Sequence, residues 1–518
     1  MTSQPTAFVR KASGLRRDVS MLDVVSLNLG NMSAGAALGA IGYVMIDLTS
    51  TSGVNLVYGS ILAWILSIPE IIVYTMMTTR VSRTGGDYIW VSRVYGGFFG
   101  GALSFMGYTL ETPAYFALIA LEAVAAIGGI GLFYGLSWGG PLIPGASGAN
   151  VAAQFGIAAV IFLFVIGVNA FKPKAGYKLV AITVIVAIIA TFVAIFSLLS
   201  AGTAGVQSYM TFLNSVGANT TYTAVASSYS GPTFDFGATI FMLPFFYIYV
   251  YPWLNAGPAV ASEIKGKGAL RYNVAISSIV SLIVVTGGFA AMYYAAGFAF
   301  TNAALGNYNL VVNYGLSFWT LAMGVTSIAP LQYFIGLGSV LWVVAIIAYG
   351  VIVLSRYLFA QSFDRFLPEK ISYISPKRGS PTVALSIELV ACLVLMGLAS
   401  YLWGALSTLF GAVIASMIYF VFVGLAAARY SLKNEKGGSK AILAIAGILM
   451  AIVFAFVAYQ FVAYNAIWSY PGWPANWLGF GWTIASFIAG LVIYTISKSY
   501  YGKRGIDITL AYKELPPL

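Results

Sequence analysis

The chain alternates between long apolar runs and short polar connections along almost its whole length. A helix needs about 20 mostly apolar residues to cross a bilayer, and twelve runs reach that length. These runs take up most of the chain and leave no room for a large soluble domain. The pattern therefore predicts an all-α membrane protein with 12 transmembrane helices. Numbered 1 to 12, the predicted segments are 21–46, 55–79, 98–128, 151–171, 177–200, 236–262, 272–299, 331–355, 380–399, 403–428, 440–463 and 477–497.

Two of these segments contain residues that interrupt a helix. Segment 6 holds YPWLNAGPA (251–259), whose prolines remove backbone donors and clash with the preceding turn. Segment 1 holds SAGAA (33–37), which also fits close packing of a neighbouring helix through small residues. Paired interruptions at corresponding positions of two halves indicate a transporter site built from inverted repeats. Segments 1–5 and 6–10 would form these repeats, followed by segments 11 and 12.

The distribution of positive charge gives the segments a direction. The net charge is +11, and all 26 lysines and arginines fall before segment 1, after segment 12, at alternate connections or at the first two residues of the segment that follows such a connection. This is the positive-inside pattern of membrane proteins, and it argues against a nucleic-acid partner. It predicts a multi-pass protein of the plasma membrane with both termini in the cytoplasm.

The residue types present limit the chemistry. The chain has no histidine and one cysteine, Cys392, so we expect no enzyme activity, no metal and no other cofactor. A deep carboxylate costs about 2.5–3.5 kcal/mol and is a functional candidate by default. Four lie within the segments, and each could instead be a protonated or hydrogen-bonded structural residue. Glu111 is interpreted as functional and Glu122 and Glu388 as structural, while Glu70 keeps both interpretations with the structural one favoured.

Three motifs resemble those of the amino acid–polyamine–organocation superfamily of secondary transporters, and the resemblance extends over roughly residues 20–430. SRTGGDYIWVSRVYGGFFGGALSF (82–105) is similar to the family's Pro-Arg-Ser-Gly-Gly-Asp-Tyr motif and its glycine-rich entry into helix 3. Here a serine and a threonine replace the motif's proline and serine. SRYLFAQSFDRFLPEKISYISPKRGSPTVAL (355–385) and ASEIKGKG (261–268) are similar to the family segments that follow helices 8 and 6.

The resemblance implies the leucine-transporter fold, a 5+5 inverted repeat plus two C-terminal helices. A small-molecule substrate would be held at the breaks of helices 1 and 6, its carboxylate by helix-1 amides and its ammonium by helix-6 carbonyls. Trp253 and Asn255 stand where many members have glycine and glutamate, so helix 6 lacks that titratable residue. Candidate gates are Tyr247, Tyr249 and Trp253. The candidate substrate-binding residues are Ser33, Ala34, Gly35, Ala36, Tyr249, Val250, Tyr251, Trp253 and Asn255.

Two coupling devices of the family are missing from this sequence. Residues 180–190 of helix 5 contain no lysine, and residues 340–354 of helix 8 contain no serine or threonine for a sodium site. The hypothesis that follows is proton coupling or exchange, with Glu111 as the titrating group. The expected function is a secondary active permease for an amino acid or related amine that works by alternating access. A non-transporting amino acid sensor and an uncoupled facilitator or channel stay open as alternatives.

The expected organisation follows from these segments. Asn219 begins an Asn-Thr-Thr sequon in the longest outer connection and is a glycosylation candidate. Membrane lipid is the expected partner of the apolar faces. The predicted units are a cytoplasmic tail (1–20), a first repeat (21–200), an extracellular loop (201–235), a second repeat (236–428), helices 11 and 12 (429–497) and a second cytoplasmic tail (498–518).

Overall fold

The computed structural model describes residues 15, 17–47, 52–146, 148–402, 413–463 and 477–516, and these residues are mostly helical. Helices 1 and 6 are interrupted, and each is labelled in two halves. The helices that follow the predicted segments are α1a (Met21–Met32), α1b (Ala34–Asp47), α2 (Leu56–Arg80), α3 (Asp87–Phe133), α4 (Val151–Phe171), α5 (Pro173–Leu213), α6a (Phe236–Tyr249), α6b (Ala256–Ala259), α7 (Lys267–Ala296), α8 (Ala329–Phe363), α9 (Thr382–Tyr401), α10 (Val413–Asn434), α11 (Gly437–Ala463) and α12 (Trp477–Gly502).

All but one of the predicted spans coincide with a long apolar helix, and α3 and α5 extend well beyond their predicted bounds. Within the described ranges, eleven helices are long and apolar enough to cross a membrane, and α1a with α1b counts as one of them. Segment 6 differs because α6a is too short to cross and the chain unwinds before α6b. The protein is therefore a multi-pass membrane protein, whereas the inverted repeat of twelve helices stays a prediction. Parts of the predicted tails and the start of segment 10 (403–412) lie outside the described residues.

Helix 1 begins where its sequence supplies a cap. The Ser20 hydroxyl accepts a hydrogen bond from the Asp23 backbone N–H at 3.2 Å, and the Asp23 carboxylate accepts one from the Ser20 N–H at 3.0 Å. This capping box satisfies backbone donors that have no partner within the helix. The start of α1a is therefore fixed locally, one turn before its buried part begins.

The predicted extracellular loop 201–235 is partly helical. α5 runs on to Leu213, with one non-helical residue, Gly202, at φ 55° and ψ −156°. A short helix, Tyr222–Ser227, follows in the same connection. Asn219 lies between these two helices, and its glycosylation stays a prediction.

Burial separates the helices into an inner and an outer group. α1 and α8 are mostly buried, and α1a packs against α5, α7 and α8. α4, α9 and α12 bury about a third of their apolar stretch or less. Their large apolar side chains face outward, as expected for helices in contact with lipid. Examples are Val160, Phe164, Val390, Val394, Ile484 and Ile488.

The segment after α12 packs against the rest of the molecule. Tyr512 is buried, and the Arg93 guanidinium lies 5.6 Å from the centre of its ring. Arg83 Nε donates to the Pro516 carbonyl at 2.6 Å, and Arg93 Nε donates to the Glu514 carbonyl at 3.1 Å. The C-terminal segment thus covers two arginines of the motif that follows α2.

A second surface contact joins the end of α2 to the connection between α10 and α11. Arg80 forms an ion pair with Glu435, and Ser439 donates to the same carboxylate at 2.7 Å. The hydrogen bonds from Arg80 and then Ser439 hold the pKa of Glu435 below its ordinary value. Glu435 is therefore ionised at neutral pH, as this ion pair requires.

Candidate functional site at the two helix breaks

The break in helix 1 is a single residue, Ser33, in the left-handed region at φ 37° and ψ 40°. This conformation costs a non-glycine residue about 1–2 kcal/mol and persists only where the surroundings impose it. The Ser33 N–H still bonds to the Leu29 carbonyl at 3.0 Å, and α1b starts at the next residue. The predicted interruption is therefore present, but Ala34, Gly35 and Ala36 are already helical.

The break in helix 6 is longer and coincides with the predicted YPWLNAGPA stretch. α6a ends at Tyr249, residues 250–255 are not helical, and α6b is a short helix that starts at Ala256. The N–H groups of Val250 and Tyr251 both bond to the Phe246 carbonyl, and Pro252 has no N–H to continue the ladder. All of the non-helical residues are buried.

Hydrogen bonds between side chain and backbone bring the two breaks together. The Ser33 hydroxyl donates to the Tyr249 carbonyl at 2.6 Å. On the α6b side, the Gly257 N–H donates to the Asn28 side-chain oxygen at 2.6 Å. These contacts satisfy backbone groups that the broken helices leave without helical partners. The breaks predicted separately from sequence thus form one buried site.

A chain of side chains leads away from the same site. Asn31 Nδ2 donates to Asn255 Oδ1 at 2.9 Å, and Asn255 Nδ2 donates to the Tyr357 hydroxyl at 3.1 Å. The Tyr357 hydroxyl donates in turn to Asp87 Oδ1 at 2.5 Å. Asn255 is therefore a link between α1a and the motif that begins α3.

Asp87 is the end of this chain and is fully buried. Besides Tyr357, it accepts hydrogen bonds from Tyr74 at 2.6 Å and from Tyr419 at 2.8 Å. Three tyrosines from α2, α8 and α10 thus surround one carboxylate, which we name the tyrosine cage. The sequence identified Asp87 only as part of a motif, because its three tyrosine partners lie far apart along the chain.

The candidate aromatic gates are packed in different ways. Trp253 Nε1 donates to the Ile248 carbonyl at 2.7 Å, and its ring stacks on Tyr115 with centroids 5.9 Å apart. Tyr247 and Tyr251 bond instead to serines of α2, at 3.2 Å and 2.8 Å. Their contacts place the rings of Tyr247 and Tyr251 against α2, and the gating roles of Tyr247, Tyr249 and Trp253 stay predictions.

Gly35 is needed where helix 1 meets α8. A Cβ at this position would lie 2.0 Å from the Trp342 ring, and the Gly35 carbonyl accepts a hydrogen bond from Trp319 Nε1 at 3.0 Å. Trp342 Nε1 is itself fixed by a hydrogen bond to the Thr191 hydroxyl at 2.9 Å. The small residue therefore allows a tryptophan of α8 to pack directly on the start of α1b.

Two buried ion pairs close the molecule between this site and the side that carries the lysines and arginines. Arg356 binds both oxygens of Glu263, at 2.8 Å and 2.9 Å. Arg93 binds both oxygens of Asp364, one of them at 2.9 Å. We name this arrangement the ion-pair layer. Beside it, the Gly85 N–H donates to the carbonyl of Ala259, at the end of α6b, at 2.9 Å.

The opposite side of the molecule contains a cavity of about 70 Å³. Its wall is formed by α1b, the end of α3, the start of α8 and the connection before α8. Among the candidate substrate-binding residues, Ala36 lines this cavity. Glu122 also lines it, although the sequence suggested a structural role for that residue. The site at the breaks thus lies between a closed side and an open one.

The other three carboxylates, Glu70, Glu111 and Glu388, are buried between packed helices. Neither oxygen of Glu70 or Glu388 has a hydrogen-bond partner within the described residues. Glu111 accepts a 3.4 Å hydrogen bond from Thr112 at one oxygen, while its Oε1 has no partner in the same part of the chain. None of the three takes part in the contacts that join the two breaks.

Comparison with known proteins identifies two relatives and a family. A serine/threonine exchanger, SteT, of Bacillus subtilis (strain 168) is 24% identical over 400 residues, 74% of this chain and 77% of the exchanger. An uncharacterized protein, 399, of Sulfolobus islandicus rod-shaped virus 1 is 28% identical over 116 residues, 22% of this chain and only 28% of the viral protein. The amino acid permease family matches residues 20–492. With nearly the whole chain matched, this protein belongs to the amino acid permease family.

Proposed function

We propose that this protein is a secondary active transporter that moves an amino acid or related amine across the plasma membrane by alternating access. The observation that carries the proposal is the meeting of two broken helices in the buried core, between the ion-pair layer and an open cavity. The exchange activity in the name of the Bacillus subtilis relative supports the same class. Both termini would be cytoplasmic, on the side that carries the lysines and arginines.

The break in helix 1 provides polar groups for the two ends of an amino acid. Backbone amides at the start of α1b would receive the substrate carboxylate, since a helix N-terminus favours negative charge. Asn31 Oδ1 is buried and has no hydrogen-bond partner among the described residues. Beside the carbonyls of residues 250–255, it offers an acceptor for the α-ammonium group. The proposed site therefore binds a zwitterion between α1 and α6.

Alternating access requires one side to open while the other closes. The cavity lies on the side opposite the ion-pair layer, so the present state would admit substrate from outside the cell. Release to the cytoplasm would require the Arg356–Glu263 and Arg93–Asp364 pairs to separate. Because both pairs lie next to α6b or α8, movement of these helices would open the layer.

Counterflow in proteoliposomes tests the proposal directly. Vesicles loaded with an unlabelled mixture of amino acids should accumulate a labelled amino acid transiently and saturably. Binding of the label without flux would favour the sensor, and flux that does not saturate would favour a channel or facilitator. A panel of unlabelled competitors in the same assay would identify the substrate.

Glu111→Gln is expected to make uptake independent of the pH gradient while exchange between internal and external substrate continues. The reason is that an amide cannot take up or release a proton, and the buried Glu111 carboxylate has one oxygen without a partner in the described structure. The measurement is uptake with and without an inward proton gradient. Glu388→Gln, which removes a buried carboxylate on the outer helix α9, is the matched control. Full pH-gradient dependence in Glu111→Gln would contradict the assignment.

A further inference from the structure

The cavity opposite the ion-pair layer has an unusual distribution of charge. Most of its wall is apolar or consists of glycine and alanine. Glu122 supplies its one carboxylate, and no lysine or arginine is found among the described residues that line it. The polar or aromatic remainder of the wall consists of Tyr43, Ser317, Trp319, Thr320 and Ser339. A single acidic group therefore lines a mostly apolar cavity.

One oxygen of the Glu122 carboxylate lacks a hydrogen-bond partner among the described residues. This oxygen, Oε2, is buried. Removing a carboxylate from water is costly unless it is paired with a cation or with donors. A hydrogen-bonded structural glutamate would have such partners. Glu70 and Glu388 also lack partners within the described residues, but Glu122 is the one of the four that lines this cavity, where a cation could reach it with a ligand.

The position of Glu122 connects it to the proposed substrate site. On α3 it lies eleven residues after Glu111, about 16 Å further along the helix. It shares the wall of the cavity with Tyr43 and with Ala36, which lies three residues after the break at Ser33. A ligand bound at the breaks could therefore extend towards Glu122.

Two aromatic side chains add to the same wall. Trp319 is held by its hydrogen bond to the Gly35 carbonyl, and Tyr43 is 40% exposed. Aromatic rings stabilise ammonium and guanidinium groups through cation–π contacts, by about 0.5–2 kcal/mol. A carboxylate with neighbouring aromatic rings is a chemically suitable receptor for an organic cation.

We propose that Glu122 forms a cation subsite that selects substrates with a positively charged side chain. This inference rests on the proposed function, since the α-ammonium and α-carboxylate of the substrate would occupy the helix breaks. The substrate class is then an amino acid with a side-chain ammonium or guanidinium group. A neutral amino acid of the same length would leave Glu122 unpaired.

L-lysine and L-norleucine provide the discriminating probes because they differ by the terminal ammonium group. In counterflow, lysine should compete with a labelled substrate about 10-fold better than norleucine in the unmodified protein. Glu122→Gln should reduce that ratio to near 1 by weakening lysine, with little effect on norleucine. Glu122→Asp should retain part of the preference, and Glu388→Gln all of it. A lysine preference that survives Glu122→Gln would overturn the subsite.

A binding experiment separates failure of the subsite from failure of the transport proposal. The thermal unfolding temperature of the detergent-purified protein is measured with lysine or norleucine. Greater stabilisation by lysine, lost in Glu122→Gln but kept in Glu388→Gln, would support the subsite even if no flux were found in vesicles. Equal effects of the two amino acids on the unmodified protein, or no effect of either, would overturn it.

Discussion

Replacing Asp87 by alanine is expected to abolish transport and to lower the stability of the protein by at least about 3 kcal/mol. The substitution leaves the hydroxyls of Tyr74, Tyr357 and Tyr419 buried without the acceptor they share. An unsatisfied buried donor costs about 1–3 kcal/mol, and three lose their partner at once. Transport is expected to fail because Tyr357 also accepts from Asn255 at the break of helix 6. Counterflow and thermal unfolding in detergent measure the two effects.

Two further variants separate the carboxylate from the individual hydrogen bonds. Asp87→Asn keeps the side-chain size and one acceptor oxygen, so it should be clearly more stable than Asp87→Ala. Tyr74→Phe removes one donor of the tyrosine cage and should cost only about 1 kcal/mol. An Asp87→Ala protein as stable and active as the unmodified one would show that the cage has no such role.

Removing one partner of the Arg356–Glu263 ion pair is expected to have the second large effect, a loss of stability. Both side chains are 5% exposed, and Arg356→Met would leave the Glu263 carboxylate without its guanidinium. Removing one member of a buried ion pair typically costs about 3–5 kcal/mol. Glu263→Gln together with Arg356→Met removes both charges and leaves an acceptor for Tyr177, which now bonds to Glu263 at 3.0 Å. The double variant should therefore recover much of the lost stability.

The same double variant tests whether this pair closes the side that we propose to be cytoplasmic. Ser262, next to Glu263, is buried and bonds to Thr84. A Ser262→Cys reporter in a Cys392→Ala background would be the only cysteine of the chain. Its labelling by a membrane-impermeant thiol reagent from the cytoplasmic side should be faster when the ion pair is absent. Unchanged labelling, together with unchanged transport, would contradict a closing role.

Part of this arrangement follows from local sequence. The prolines and glycine of 251–259 interrupt a helix wherever they occur in an apolar run, so the break in helix 6 was predictable. The distribution of lysine and arginine likewise predicts which connections share a side of the membrane, and this stays a prediction. Small residues in segment 1 indicated the second break, but its restriction to Ser33 depends on the Tyr249 carbonyl of another helix.

The rest depends on how helices rotate and pack, which a single sequence does not determine. The tyrosine cage combines Tyr74, Tyr357 and Tyr419, and nothing in their local sequence connects them. The role of Glu122 was equally hard to predict from local sequence, because the connection before α8 and α1b form the environment of its side chain. Charge alone identified it as an exception, and only the cavity shows what it faces.

The left-handed serine of helix 1 also has a mechanical consequence. α1b has 14 residues and is about 21 Å long, and it joins α1a through the dihedral angles of Ser33. A rotation of about 10° at that pivot would swing the far end of α1b by about 4 Å, with little change inside either half. The Ser33 hydroxyl donates a hydrogen bond to the Tyr249 carbonyl, which holds the pivot in place. A ligand that competes for this carbonyl would therefore free α1b to rotate, and the largest displacement would occur at the end of α1b farthest from Ser33.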